Sequence, residues 1–154
     1  MNLNNRLFAI FLIAAYALAT GANAQNAKNA DCPAPSDMKA EQLFGLWAVR
    51  FDKAPAGMSA KASMLLERHA EFSDSLAGTV SRDLGPAKAA LAGDLEDGML
   101  LLDESSDNLS ITGTWNAEMV AGSCSRLFQG HWKDTSSGAA ENAPDQHFTL
   151  RKLP

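Results

Sequence analysis

The sequence predicts an all-β fold, an eight-stranded antiparallel up-and-down barrel, on three observations. Beyond residue 41, apolar residues recur mostly with period two, the alternation of a half-buried strand. Turn-forming pairs such as Asp97-Gly98 and Asp107-Asn108 separate the apolar runs at hairpin-like intervals. Gly45, Gly78, Gly93, Gly113 and Gly130 each occupy the apolar phase of a different run, where a small closed barrel needs room for sharply coiled strands.

In chain order, Met1 to Arg6 carries one positive charge and Leu7 to Ala19 is an unbroken apolar run. That run is shorter than the roughly 20 residues of a membrane-spanning helix. It ends in Ala22-Asn23-Ala24, the small-x-small pattern of a cleavage site, so residues 1–24 are expected to be a signal peptide. Asn29-Ala30-Asp31 before Cys32 does not make a lipoprotein attachment box. The expectation is therefore a periplasmic or secreted protein with no membrane anchor after cleavage. Residues 25–41 form a polar tail carrying Cys32, and 42–154 form the barrel domain.

Export makes the two cysteines interpretable. In an oxidising compartment Cys32 and Cys124 are each other's only intramolecular partner, and their disulfide would tie the Pro-rich lead to the far end of the chain.

The first strand runs from Leu43 to Phe51, with Leu43, Gly45, Trp47, Val49 and Phe51 on one face. Met64 to His69 supplies the second strand, Leu76, Gly78 and Val80 the third, Ala89 to Leu95 the fourth, and Met99 to Asp103 the fifth. The sixth and clearest run is Leu109, Ile111, Gly113, Trp115, Ala117 and Met119. Cys124, Phe128, Gly130 and Trp132 form the seventh, with Arg126 as a polar exception, and Phe148 and Leu150 the eighth. Asp134 to Gln146 is the one long connection. Propensity offers an alternative for two segments, because only three Val and one Ile follow the signal. Ser59 to His69 can be drawn as a helix with Ala62, Leu65, Leu66 and His69 on one side, and Pro86 to Leu95 as one opened by Pro86.

The 154 residues support one domain, and the formal net charge of −5 becomes more negative once Arg6 leaves with the signal. This acidity argues against nucleic acid and against anionic membrane surfaces as partners. Between Lys88 and Arg126 there is no basic residue, whereas Asp94, Glu96, Asp97, Asp103, Glu104 and Asp107 all fall there and form an acidic patch.

Three glycines are followed two positions later by tryptophan: Gly45-Leu46-Trp47, Gly113-Thr114-Trp115 and Gly130-His131-Trp132. Here the chain resembles the calycin group of barrels, the lipocalins and avidins, over roughly Glu41 to Leu153. Gly45-Leu46-Trp47 looks like the lipocalin G-x-W, whose tryptophan plugs the closed end. The resemblance implies that Gly45, Trp47 and Arg151 close the barrel, Arg151 being placed like the basic residue that packs over the tryptophan. A lipocalin T-D-Y segment is missing, and the sole tyrosine, Tyr16, lies in the signal, so an avidin biotin pocket does not carry over.

No G-x-S-x-G, H-E-x-x-H, C-x-x-C or phosphate-cradling loop occurs, and His69, His131 and His147 fall in three separate segments. The expectations are no enzyme activity, no cofactor and no metal. The leading functional reading is an exported barrel that binds a small, largely apolar molecule through Trp47, Trp115, Phe128 and Trp132. The alternative is an interaction module, such as an inhibitor of an exported hydrolase.

Overall fold

The computed structural model describes residues 32–154 apart from positions 55, 85–87 and 141–142. The predicted signal peptide and residues 25–31 of the predicted tail lie outside the described residues. Eight strands follow one another: β1 (Gly45–Phe51), β2 (Lys61–Arg68), β3 (Leu76–Arg82), β4 (Lys88–Glu96), β5 (Met99–Ser105), β6 (Gly113–Met119), β7 (Leu127–Asp134) and β8 (Gln146–Lys152). Every neighbouring pair is antiparallel, and β8 returns to pair with β1, so the sheet closes into a barrel in chain order. This is the predicted fold class, and it is compatible with a calycin-like architecture.

The two segments with helical propensity are both strands, β2 and β4. In β2, Met64 and Leu66 are buried while Lys61, Ser63, Glu67 and Arg68 are exposed. Helical propensity differences amount to tenths of a kcal/mol per residue, and they yield to lumen burial and to two flanking ladders of hydrogen bonds. Close approach explains three of the inward glycines. A Cβ on Gly78, Gly93 or Gly130 would lie 2.1, 1.9 or 1.9 Å from a carbonyl oxygen of the neighbouring strand, so any side chain would force the coiled strands apart.

Three predicted strands start later than the apolar alternation suggests. β1 begins at Gly45, because Leu43 belongs to a 3₁₀ turn, Ala40–Leu43, that covers the barrel end. β6 begins at Gly113, and Leu109 and Ile111 are exposed on the connection before it, Leu109 at 92%. β7 begins at Leu127, because Cys124 and Ser125 both take positive φ in the turn that precedes it. Cys124 is bonded to Cys32, and no other cysteine exists to pair with either.

An eight-stranded barrel has a lumen about wide enough for side chains to fill, and here they do. Trp47, Met64, Leu66, Leu76, Val80, Leu100, Trp115, Phe128 and Leu150 are all essentially inaccessible to solvent. The alternation of strand direction sorts the connections into two sets. Segments 69–75, 97–98 and 120–126 lie at the end where β1 starts and β8 finishes. The described residues of segments 52–60, 83–84, 106–112 and 135–145 lie at the opposite end, the mouth.

Candidate functional site

Each end of the lumen is stoppered by a tryptophan group, and the two stoppers differ in chemistry. At the end where β1 starts, the Trp47 indole N–H donates to the Leu43 carbonyl at 2.8 Å, and its ring meets Phe128 edge-on at 5.8 Å. A 3₁₀ turn, Ala40–Leu43, supplies the covering Leu43, which is fully buried. The basic residue over Trp47 is Lys152, its Nζ 5.6 Å from the ring centre and donating to the Gln42 carbonyl at 2.5 Å. Arg151, expected in that role, is exposed. The correction follows from parity: Phe148, Leu150 and Lys152 share the inward phase of β8, and Lys152 stands directly opposite Trp47 in the β1–β8 register. Burial holds the Lys152 ammonium below its usual pKa, with the charge of Arg126 adding to the effect.

The mouth end is stoppered by an ion pair that the sequence reading missed. Arg82, at the end of β3, reaches across the lumen to Glu104 on β5, with Nη1 to Oε1 and Nη2 to Oε2 both at 2.7 Å. Two more donors converge on the same carboxylate. Trp115 on β6 and Trp132 on β7 give their indole N–H groups to Oε2 at 2.9 and 3.1 Å. The Arg82 guanidinium carbon lies 5.5 Å from the ring of each tryptophan. Four donors thus satisfy one buried carboxylate, the condition for a buried charge to be tolerated. Gly113 makes room for the arrangement: a Cβ there would sit 2.6 Å from the Trp132 indole nitrogen. Arg82 Nε is buried without a partner among the described residues.

Glu104 therefore leaves the predicted acidic patch. It is 3% exposed, because Leu100, Leu102 and Glu104 share the inward phase of β5. Asp94, Glu96, Asp97 and Asp103 are exposed, and so is Asp107. Asp107 has a local task. Its carboxylate accepts from the Ser110 N–H at 2.8 Å, the Ser110 hydroxyl at 2.7 Å and the Leu109 N–H at 2.9 Å, and Ser105 adds a fourth bond at 3.1 Å. The Ser110 backbone bond is the largest cause holding this carboxyl well below the ordinary carboxylate range. These bonds tie the backbone of residues 109–110 into a turn, which is why β6 cannot begin at Leu109.

The shape of that connection should depend on the charge. A folded-state pKa below the unfolded value makes the Asp107 contribution complete above the unfolded carboxylate pKa of about 3.9 and lost as pH falls through the folded one. Asp107→Ala should therefore speed hydrogen exchange at the Leu109 and Ser110 amides at neutral pH, where the carboxylate is charged in both states. Unchanged exchange at both amides would show that the turn is held by something else.

Above the Arg82–Glu104 pair the mouth forms a basin of about 380 Å³. Met58 and Trp132 supply its apolar wall, Arg82 and Glu104 its floor, and Ser106, Thr112, Asp134 and Ser136 its polar rim. Of the four predicted ligand-binding aromatics, Trp132 alone lines this basin. Trp115 lies beneath it in a cluster with Phe51 and Phe148, at centroid distances of 5.7 and 4.9 Å, and Trp47 and Phe128 belong to the opposite stopper. Parity could have disclosed the missing pair: Leu76, Gly78, Val80 and Arg82 keep one phase, as do Leu100, Leu102 and Glu104. Two opposite charges in the inward phase near the same barrel end have only each other to neutralise them.

Among the described residues no group of three or more His, Cys, Asp or Glu side chains is placed to hold a metal ion, and no helix is long and apolar enough to cross a membrane. Neither a protein-family model nor a curated protein matches this chain.

Proposed function

We propose that this protein is an exported, non-catalytic binding protein of lipocalin-like design that takes a small molecule in the basin at the barrel mouth. The basin carries the reading: it is about 380 Å³, within the range of small-molecule sites, and pairs an aromatic and aliphatic wall with hydrogen-bonding groups at its rim. The ligand would lay an apolar body against Trp132 and Met58 and turn its polar end to Ser106, Thr112 or Ser136. The deep lumen is occupied by side chains, so the ligand is smaller than one that fills a hollow barrel. The Cys32–Cys124 disulfide supports export, since such bonds persist in oxidising compartments. A non-catalytic role is consistent with a floor carboxylate already engaged by four donors.

Tryptophan fluorescence tests the proposal, because only Trp132 of the three borders the basin. A naphthalene-sulfonate dye should quench a fraction of the emission saturably, and Thr112→Trp, which fills the basin, should abolish the dye-binding isotherm. Absence of saturation, or an isotherm untouched by Thr112→Trp, would overturn it.

A second reading, an interaction module for another exported protein, is favoured by one observation: Leu84, Leu109 and Ile111 are exposed on connections at the mouth end. A complex recovered from periplasmic extract and lost on combined Leu84→Ser, Leu109→Ser and Ile111→Ser substitution would favour it over the small-molecule reading.

A further inference from the structure

The three histidines are far apart in sequence, but barrel pairing brings two of them together. His131 on β7 and His147 on β8 are direct cross-strand partners, and their rings stand 4.1 Å apart with planes inclined at 59°. Both are exposed on the outer face. Among the described residues neither ring makes a hydrogen bond or an ion pair. His69 differs, since its Nδ1 accepts from the Glu71 and Phe72 amides at 3.2 and 3.3 Å and so completes a turn.

The pair also has defined surroundings. Asn116 on β6 stands directly opposite His131, so Asn116, His131 and His147 form one row across three strands. That row lies in an outer crevice of about 280 Å³ shared with Met99, Glu118 and Gln129. Facing cross-strand positions place Cβ atoms roughly 4.5–5.5 Å apart. Two imidazoles held at that spacing can each offer a ring nitrogen to one ion at bond lengths of about 2.0–2.1 Å.

We infer that His131 and His147 form a two-imidazole site for a divalent transition-metal ion on the outside of the barrel. Imidazole nitrogens suit Cu²⁺, Ni²⁺ and Zn²⁺ and not Ca²⁺ or Mg²⁺, and Cu²⁺ heads the general affinity order. Two protein ligands leave the remaining positions to water, with Asn116 the next residue in the row. The site is independent of the basin, which lies at the mouth and is lined by other residues.

The test is titration of the untagged protein with Cu²⁺ followed by electron paramagnetic resonance, and with Zn²⁺ followed by calorimetry. One ion per chain is expected, with nitrogen hyperfine structure from two imidazoles and tighter binding of Cu²⁺. Losing a ligand should cost at least the 10–100-fold, approximately, that losing a ligand's outer partner costs, so His131→Gln and His147→Gln should each weaken binding by about that much. His69→Gln should bind as the parent does. The histidines are exposed, so these substitutions leave the fold intact, as circular dichroism can verify. No saturable binding, or parental affinity in either single variant, would overturn the inference.

Discussion

Glu104→Leu is expected to lower folding stability by about 3–5 kcal/mol, the cost of stranding one partner of a buried ion pair. The substitution removes the acceptor of four hydrogen bonds at once. It leaves the Arg82 guanidinium, 2% exposed at its side chain, without a counter-charge, and two indole N–H groups without an acceptor. Against a typical total of about 5–15 kcal/mol, that loss can bring a small domain near its unfolding threshold. Urea denaturation of parent and variant measures it. The coupling is checked by adding Arg82→Met. Because the damage is an unpaired charge, the double variant should be no less stable than Glu104→Leu alone, a departure from additivity diagnostic of the pair. A loss below about 1 kcal/mol, within the range of an ordinary surface substitution, would mean that water reaches the pair and the mouth stopper is not closed.

Removing the disulfide should cost about as much by a different route. Cys32 and Cys124 are 92 residues apart, and closing a loop of that size restricts the unfolded chain by roughly 4 kcal/mol in the chain-entropy account. Cys32→Ser with Cys124→Ser is therefore expected to lower the denaturation midpoint by an amount equivalent to about 2–5 kcal/mol. Incubation of the parent with a reductant should reproduce that shift, which separates loss of the bond from any effect of the serines. The segment before β1 should also become sensitive to proteolysis, since the bond anchors residue 32 to the 120–126 turn. Equal midpoints with and without reductant would show that the bond does not restrain the unfolded state.

The barrel was legible because its determinants are local. Alternation along each strand, turn residues between strands and glycines in the inward phase specify strand number, order and handed-off hairpins without knowledge of any distant residue. The helical alternatives failed where propensity competed with two-sided pairing. What sequence concealed was decided across the lumen or across the sheet. Glu104 sits in an acidic run, so its charge invited a surface assignment, although its parity with Leu100 and Leu102 placed it inside. Arg151 and Lys152 are adjacent and both basic, and only the inward phase of Phe148 and Leu150 chooses between them. Leu109 and Ile111 continue an alternation that Asp107 interrupts by capturing the neighbouring amides. The juxtaposition of His131 and His147 depends on the register across the longest connection, which no local pattern sets. For the same reason Trp47 and Trp115 do not line the mouth basin although they share the motif with Trp132: G-x-W spacing reports an inward phase, not the depth at which the ring lies.

The closure of β8 onto β1 has a practical corollary. Leu153 N–H bonds to the Leu46 carbonyl, so the chain enters and leaves the barrel at neighbouring points, at the end opposite the mouth. A tag, a linker or a solid support joined after Leu153 would therefore leave on the side away from the basin. Residues 32 and 154 could also be joined through a linker and new ends opened within 135–140, giving a permuted protein with the same sheet.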